Sequence, residues 1–442
     1  MAQHPAAVPF HPLPFHAKIH TMKPSLSLVC ITIALSIFIG VILPAAHLRT
    51  EHALDFKAYY VAGHLALNHR NIYDPDLQMQ TVREQGLGPD YYPYIYFPFL
   101  AVACMPLATL PFVTAQWIWF ILSVAAWYSG LVLLARLLIL ETGIPEQSRM
   151  RQVILSVSAI SIFYGIFSNM IEGQVNSFIF LLLAVSLTAL NARLPLAAGF
   201  CLAVVIMIKP QPILVIPYLL LIRRWKTAAA TLLCLAAGVT VTTEIIGRSY
   251  FMYYIKEILP TFSMQSTSFP PILINAPPNS SVQGAVSRIL SDSPWTSAAL
   301  HLPGAQIIVT RLLVVCLLAA TAIFLRHRRH QSPPFITAWI DIGWVLLLSL
   351  LVSPLTWDHH FVILPIFVIP LVDTMIRSHR NGLAGGCLLA GWILLALPME
   401  PMNPFWHRSI LHQTALYVKT SALLWIWWLY GALLRKQHDD IH

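Results

Sequence analysis

The sequence alternates between long apolar stretches and short polar segments along nearly its whole length. An α-helix needs about 20 predominantly apolar residues to cross the hydrocarbon core of a bilayer, and many of the stretches approach or reach that length. The pattern therefore predicts a polytopic membrane protein built from α-helices. Thirteen stretches are candidate spans: residues 26–46, 97–110, 113–139, 153–169, 174–191, 195–208, 211–222, 227–246, 306–325, 335–352, 361–376, 383–398 and 412–434.

Thirteen spans would place the two chain ends on opposite sides of the membrane, although both ends carry cationic side chains. Lys and Arg next to spans favour the cytoplasmic side, so both termini are expected there. One stretch then does not cross, and the short stretch 97–110, which holds Pro98 and Pro106, is predicted to be re-entrant. The alternative joins 195–222 into one kinked span, but it would leave basic residues outside. The sequence thus predicts about twelve spans.

Two long polar segments interrupt the apolar pattern without forming an independent soluble domain. If the tail over residues 1–24 is cytoplasmic, residues 49–96 form a first periplasmic loop and residues 247–305 form a second. The whole chain, 1–442, is expected to be a single integral-membrane domain. The stretch 26–46 is interpreted as a retained span and not as a signal peptide, because it is long enough to cross and is followed by a poor cleavage site.

Composition and charge support a molecule that faces lipid. Only 10% of the 442 residues are charged and the mean hydropathy is +0.69, so polar side chains are too few to cover a water-soluble globule of this size. The net charge of +9 does not indicate nucleic-acid binding, because the basic residues form short clusters between apolar stretches. The six cysteines lie inside apolar stretches and lack the spacing of a metal or redox site.

Polar side chains between the stretches collect on the predicted periplasmic side, where they indicate a functional cavity. Asp55 follows the first span and could accept the proton of a sugar hydroxyl, although a helix-capping carboxylate would show the same pattern. Lys209 lies where Pro210 turns the chain between two stretches. Its ammonium either faces an anion such as phosphate or extends to the membrane interface.

Two further segments combine residue types that suit phosphate or sugar binding. Residues 353–360 contain an indole, a carboxylate and two imidazoles, which can bind substrate or lie at the interface. Neighbouring side chains point apart and no second ligand cluster is evident, so the His pair does not predict a metal site. Residues 279–288 offer amide and guanidinium donors, but a polar loop that enters a helix has the same composition.

Taken in order, these motifs resemble the polyprenyl-phosphate-sugar-dependent membrane mannosyltransferases of glycosyltransferase family 87, in the GT-C superfamily. The resemblance covers nearly the whole chain, although Phe97-Pro98 stands where the family usually has a proline pair. The motifs that carry it are Asp55 with Tyr59-Tyr60-Val61-Ala62-Gly63, Asn71-Ile72-Tyr73, Tyr96-Phe97-Pro98-Phe99, Pro106 to Pro111, Gly173-Gln174-Val175-Asn176, Lys209-Pro210, Arg223-Arg224-Trp225, Asn279 to Arg288, and Ser353-Pro354 to Trp357-Asp358-His359-His360.

The resemblance implies an all-α fold of GT-C type and an inverting transfer of a hexose, with mannose the expected sugar. The expected partners are a polyprenyl-phosphate-sugar donor, a lipid or glycan acceptor and the bilayer, with no nucleic acid. No cofactor is expected, and no metal is expected because the residues offer too few ligand clusters, although some members of the superfamily use a metal. Asp55 is the expected general base. The expected substrate-binding residues are Tyr59, Tyr60, Gln174, Asn176, Lys209, Asn279, Arg288, Trp357, His359 and His360.

The resemblance also implies a location, and two other functions and a structural role are alternatives to the sugar transfer. The expected location is a bacterial inner membrane, with the active site facing the periplasm. A transporter or flippase of lipid-linked saccharides would also bury charges at depth, but no internal repeat is evident. A glycan polymerase or ligase, the second rival, would not need an acidic residue just after the first span, and a structural membrane subunit would not need two long exterior loops.

Overall fold

The computed structural model describes residues 25–48, 53–142, 147–262, 274–293, 296–326, 333–378, 382–397 and 416–439. All regular secondary structure in these ranges is helical, which confirms the all-α prediction. The predicted cytoplasmic tail over 1–24 lies outside the described residues, as do 263–273 and 294–295 of the predicted second loop.

Short linkers join the helices. Most of the helices begin or end close to a boundary of an apolar stretch in the sequence. The helices are α1 Leu26–His47, α2 Leu54–Leu67, α3 Pro75–Glu84, α4 Pro98–Ala108, α5 Phe112–Thr142, α6 Gln147–Ile160, α7 Tyr164–Ile171, α8 Asn176–Asn191, α9 Pro195–Ile208, α10 Gln211–Leu221, α11 Trp225–Ile246, α12 Arg248–Tyr253, α13 Val282–Leu290, α14 Gln306–Leu325, α15 Phe335–Val352, a 3₁₀ turn Asp358–Ile363, α16 Pro365–Ser378, α17 Gly382–Ala396 and α18 Val418–Asp439.

Several helices have the length and composition of membrane spans, so the predicted membrane character is confirmed. In the described part of the chain, five qualify: Leu26–His47, Phe112–Glu141, Trp225–Ile246, Pro303–Leu325 and Phe335–Val352. The pair Met150–Ile160 and Tyr164–Ile171, bent by 61°, would make a sixth. The other apolar helices are shorter, between 10 and 17 residues, so the total of about twelve spans and the two periplasmic loops stay predictions.

Helix α2, in the predicted first loop, packs closely against α4. Gly63 makes this approach possible, because a Cβ at that position would lie 3.0 Å from the carbonyl carbon and oxygen of Cys104. The short stretch 97–110 therefore lies against the loop helix that carries Asp55, while α9 packs between α8 and α11.

The start of α2 is held against the corner between α7 and α8 by main-chain hydrogen bonds. The amides of Asp55 and Phe56 donate to the carbonyl of Glu172 at 3.2 and 3.3 Å. Gly173 has φ +66°, and a Cβ there would lie 2.6 Å from the Cβ of Phe56, so only glycine permits this contact. Two segments that are distant in sequence are thereby brought to one place.

The corner is also anchored from the membrane side by α5. The indole of Trp119 donates to the carbonyl of Gly173 at 2.8 Å, and its ring stacks on Phe56 with centroids 5.1 Å apart. The buried aromatic pair therefore fixes both the loop helix and the corner to a helix that is long enough to span the bilayer.

Candidate active site

A hydrogen-bonded network of polar side chains forms where α2, the corner before α8 and the end of α9 meet. Tyr96 donates its hydroxyl proton to Asp55 Oδ1 at 3.1 Å, and Gln174 Nε2 donates to the Tyr96 hydroxyl at 3.4 Å. Tyr59 donates to Gln174 Oε1 at 3.3 Å. The carboxylate is therefore oriented by neutral donors from two other parts of the chain.

Lys209 extends the network beyond the amide of Gln174. Its Nζ donates to Gln174 Oε1 at 3.1 Å and to Asn176 Oδ1 at 2.9 Å, and it lies 5.8 Å from the centre of the Tyr96 ring. The side chain is buried, with 6% of its surface exposed. No carboxylate of the described residues forms an ion pair with it, so its direct partners are neutral oxygens and a ring face.

Burial and charge act in opposite directions on the two ionisable groups of the network. Burial raises the pKa of Asp55, and the hydrogen bond from Gln174 and the charge of Lys209 offset part of that rise. Burial lowers the pKa of Lys209 to about 7, against the opposing effect of Asp55. A carboxyl group that holds its proton more tightly than usual thus lies near an ammonium that holds its proton less tightly than usual.

The two histidines of the 3₁₀ turn lie within range of the charge of Lys209. Burial, followed by the charge of Lys209, lowers the pKa of both His359 and His360 well below the usual value, so both rings are neutral near pH 7. The amide of Trp357 donates to Nδ1 of His360 at 3.0 Å. This hydrogen bond assigns the proton of the neutral ring to Nε2, which is then a donor.

The turn is also held by a buried ion pair from the last described helix. Lys419 Nζ lies 2.6 Å from Asp358 Oδ1, and the two side chains are 1% and 7% exposed. Asp358 directly precedes the histidines, so the pair fixes α18 to the segment that carries them.

Asn279 and Arg288 do not join the network of Asp55. The Asn279 amide nitrogen donates to the carbonyls of Ile274 and Pro354, at 3.0 and 2.9 Å, and its oxygen accepts from the amide of Thr356 at 3.0 Å. This side chain therefore ties the second loop to the histidine segment.

The guanidinium of Arg288 is likewise engaged by main chain. It is fully buried and donates to the carbonyls of Ala276 and Leu416, at 2.9 and 3.3 Å. Substrate contact by Asn279 or Arg288 stays a prediction.

Tyr60 and Trp357, the two other predicted substrate-binding residues, also lie outside the network of Asp55. Tyr60 points away from Asp55, because its hydroxyl donates to the carbonyl of Leu110 at 2.8 Å. The ring of Trp357 lies 6.0 Å from that of His359, at the edge of the turn. The residues brought together are Asp55, Tyr59, Gln174, Asn176, Lys209, His359 and His360.

Sequence reasoning missed three groups in and around this site. Tyr96 belongs to a motif of the family resemblance but is not predicted to bind substrate, and Glu172, which precedes the Gly173-Gln174-Val175-Asn176 motif, is not predicted to have a role. Lys419 lies in the last apolar stretch, where its position within a candidate span was the only available signal. In the described ranges, no three His, Cys, Asp or Glu side chains lie together as a metal site, and the expectation of no metal or cofactor stays a prediction.

Comparison of the sequence with known proteins assigns the chain to a family. The sequence profile described as Glycosyltransferase family 87 matches residues 94–354, which is more than half of the chain. The chain belongs to glycosyltransferase family 87. The resemblance carried by the motifs is thereby confirmed, and the protein is an enzyme that transfers a glycosyl group. The transporter or flippase alternative is not favoured.

Curated relatives of this family 87 enzyme come from mycobacteria. A polyprenol-phosphate-mannose-dependent alpha-(1-2)-phosphatidylinositol pentamannoside mannosyltransferase of Mycobacterium tuberculosis is 27% identical over 357 residues, which are 77% of this chain and 71% of the relative. The protein of the same name from Mycolicibacterium smegmatis is 29% identical over 318 residues, 70% and 68% of the two chains. A phosphatidylinositol mannoside mannosyltransferase of Mycobacterium tuberculosis is 25% identical and aligns with 87% of this chain and 84% of its own.

Proposed function

We propose that this family 87 enzyme transfers mannose from a polyprenyl-phosphate-mannose donor to a glycolipid or glycan acceptor, with inversion at the anomeric carbon. The names of the relatives support the donor and a glycolipid acceptor. The observation that carries the proposal is a buried ammonium with neutral partners, Lys209, in one hydrogen-bonded network with a half-buried carboxylate, Asp55.

The donor phosphate fits the side of the site that holds Lys209. A buried ammonium is costly unless an anion compensates its charge, and the direct contacts of Nζ supply none. The phosphate would provide that charge, and Nε2–H of His360 would add a neutral hydrogen bond. Because the leaving phosphate stays ionised, a cation aimed at its developing charge contributes more to the rate than an acid would.

The acceptor hydroxyl fits the side of the site that holds Asp55. As the acceptor oxygen bonds to the anomeric carbon, its proton passes to Asp55. The bond between that carbon and the phosphate oxygen breaks, and its electron pair leaves with the phosphate. A half-buried carboxylate with a raised pKa is a stronger base than one in water, and Tyr96 and Gln174 hold it in position.

The same proposal places the enzyme in a bacterial inner membrane with about twelve spans, cytoplasmic termini and a periplasmic site. The positions of the site residues support a common face, because they come from helix ends and linkers: the start of α2, the corner before α8, the end of α9 and the turn after α15. Labelling of an Asp76→Cys variant, in a background without native cysteines, tests this orientation. A membrane-impermeant maleimide should react with intact cells, and reaction only after lysis would place the loop inside.

The transfer reaction is tested with the full chain in lipid nanodiscs, with polyprenyl phosphate carrying radiolabelled mannose and octyl α-D-mannoside as acceptor. Wild type should form labelled dimannoside, and Asp55→Asn should lose on the order of 10²- to 10⁴-fold in kcat. Asp76→Asn removes an exposed carboxylate from the same loop and should retain wild-type activity. No product from wild type would refute the reaction, and an active Asp55→Asn would remove Asp55 as the base.

A further inference from the structure

Glu172 is an acidic side chain beside the base that the transfer mechanism leaves unused. It ends α7, and the amide of Leu54 donates to its carboxylate. The other carboxylate oxygen, Oε2, is buried and makes no hydrogen bond with the described residues. Leaving a buried acceptor unsatisfied is unfavourable, so such an atom indicates a hydrogen-bond donor that the described residues do not supply.

Two phenol hydroxyls share the surroundings of this carboxylate. After burial, the charge of Glu172 affects the hydroxyls of both Tyr92 and Tyr164, so both phenols lie within range of this carboxylate. The ring of Tyr164 also lies 5.9 Å from the ammonium of Lys419, which pairs with Asp358. Both rings are partly exposed, and neither hydroxyl forms a hydrogen bond within the described ranges. Glu172, which is joined to Asp55 through main-chain hydrogen bonds, therefore lies in a region with two phenols that have free hydrogen-bonding capacity.

From this arrangement we infer that Glu172, Tyr92 and Tyr164 form a subsite that binds hydroxyl groups of the acceptor saccharide. The inference rests on the proposed transfer reaction and deepens it. Sugar hydroxyls donate to carboxylate and phenol oxygens, and the phenol hydroxyls can donate in return. The apolar faces of a sugar ring also pack well on aromatic rings.

The subsite at Glu172 and the proposed donor site at Lys209 carry opposite charges. The carboxylate of Glu172 would repel a phosphate, whereas the ammonium of Lys209 attracts one. A neutral saccharide is therefore the ligand that fits beside Glu172. Since the hydroxyl that reacts must also reach Asp55, binding of neighbouring hydroxyls by Glu172 would select which oxygen of the acceptor is presented to the base.

The test measures KM for octyl α-D-mannoside and KM for the polyprenyl-phosphate-mannose donor in separate titrations. The variants are Glu172→Gln, Tyr92→Phe and Tyr164→Phe, which remove a charge or a hydroxyl with little change of shape. Glu84→Gln and Tyr250→Phe are matched controls on exposed parts of the loops. Glu172→Gln should raise the acceptor KM roughly tenfold or more and each phenylalanine variant severalfold, while the donor KM stays constant.

Two results would overturn the subsite. One is an unchanged acceptor KM in Glu172→Gln. The other is a fall in thermal stability with acceptor and donor KM altered alike, since a carboxylate that only caps α2 would act through folding. A wild-type enzyme that transfers no mannose would instead refute the reaction itself, so the two failures are distinguishable.

Discussion

Lys209 donates a hydrogen bond to the side-chain oxygen of Asn176 at 2.9 Å, so the ammonium is held in place by a neutral partner. Lys209→Met should therefore raise the donor KM by on the order of 10²-fold, because the proposed phosphate would lose its counter-charge. Lys209→Arg keeps the charge and should retain part of the affinity. Titration of the donor in nanodiscs measures both. The exposed Lys226→Met is the control, and an unchanged donor KM in Lys209→Met would exclude phosphate binding by this residue.

The opposite pKa shifts of Asp55 and Lys209 predict a bell-shaped dependence of kcat/KM on pH. Asp55 acts as a base only when ionised, and because burial raises its pKa, activity should fall with decreasing pH earlier than for an ordinary carboxylate. Lys209 binds phosphate only when protonated. Since its pKa is lowered to about 7, donor affinity should fall about tenfold per pH unit above 7.

A single variant isolates the alkaline limb of that profile. Glu172 also titrates near pH 7, because burial and then the charge of Asp55 raise its pKa to about 7. The guanidinium of Lys209→Arg stays charged in this range, so the variant should lose the alkaline limb. If the limb persists in Lys209→Arg but disappears in Glu172→Gln, the titrating group is Glu172.

The buried pair between Lys419 and Asp358 predicts a large effect of removing one partner. Lys419→Met removes one buried cationic partner of Asp358 and should lower the free energy of unfolding by about 3–5 kcal/mol. The double variant Lys419→Met with Asp358→Leu should recover much of that loss, since it also removes the buried carboxylate that had lost its ion pair. Thermal unfolding in detergent measures both. A single variant as stable as wild type would show that the pair does not hold the histidine turn.

The Asn279→Ala variant tests whether this predicted substrate-binding residue contributes to stability and not to substrate contact. Asn279→Ala removes two donated and two accepted hydrogen bonds, including those to Pro354 and Thr356, and should lower stability by about 1–3 kcal/mol. Activity lost at higher temperature should return on cooling, with the donor KM unchanged. Asn68→Ala, at an exposed helix end, is the control. A donor KM that rises without loss of stability would establish direct contact.

The sequence predicted the centre of the site because charge is conspicuous in an apolar chain. Asp55, Gln174 and Lys209 stand out as polar positions at the ends of apolar stretches, and the structure joins them in one network. Their helices follow from the same apolar pattern, although length alone did not separate spans from shorter buried helices.

Partners that depend on tertiary contact were not predictable in this way. A tyrosine in an aromatic cluster suits an interface as well as a catalytic network, so Tyr96 carried no distinguishing signal. Guanidinium donors fit phosphate oxygens and main-chain carbonyls equally well, and Arg288 uses the latter. Sequence reveals the hydrogen-bonding capacity of a side chain, whereas packing decides its partner.

The main-chain hydrogen bonds from Asp55 and Phe56 to Glu172 join segments that are far apart in the sequence and are therefore synthesised at different times. The histidine turn enters the same site only after three-quarters of the chain. Because synthesis proceeds from the N-terminus, Asp55 is synthesised long before the histidines of the same site. If Asp55 and the histidines act as proposed, a truncated chain that ends before this turn will not transfer sugar, and catalytic activity will report completed biogenesis of the enzyme.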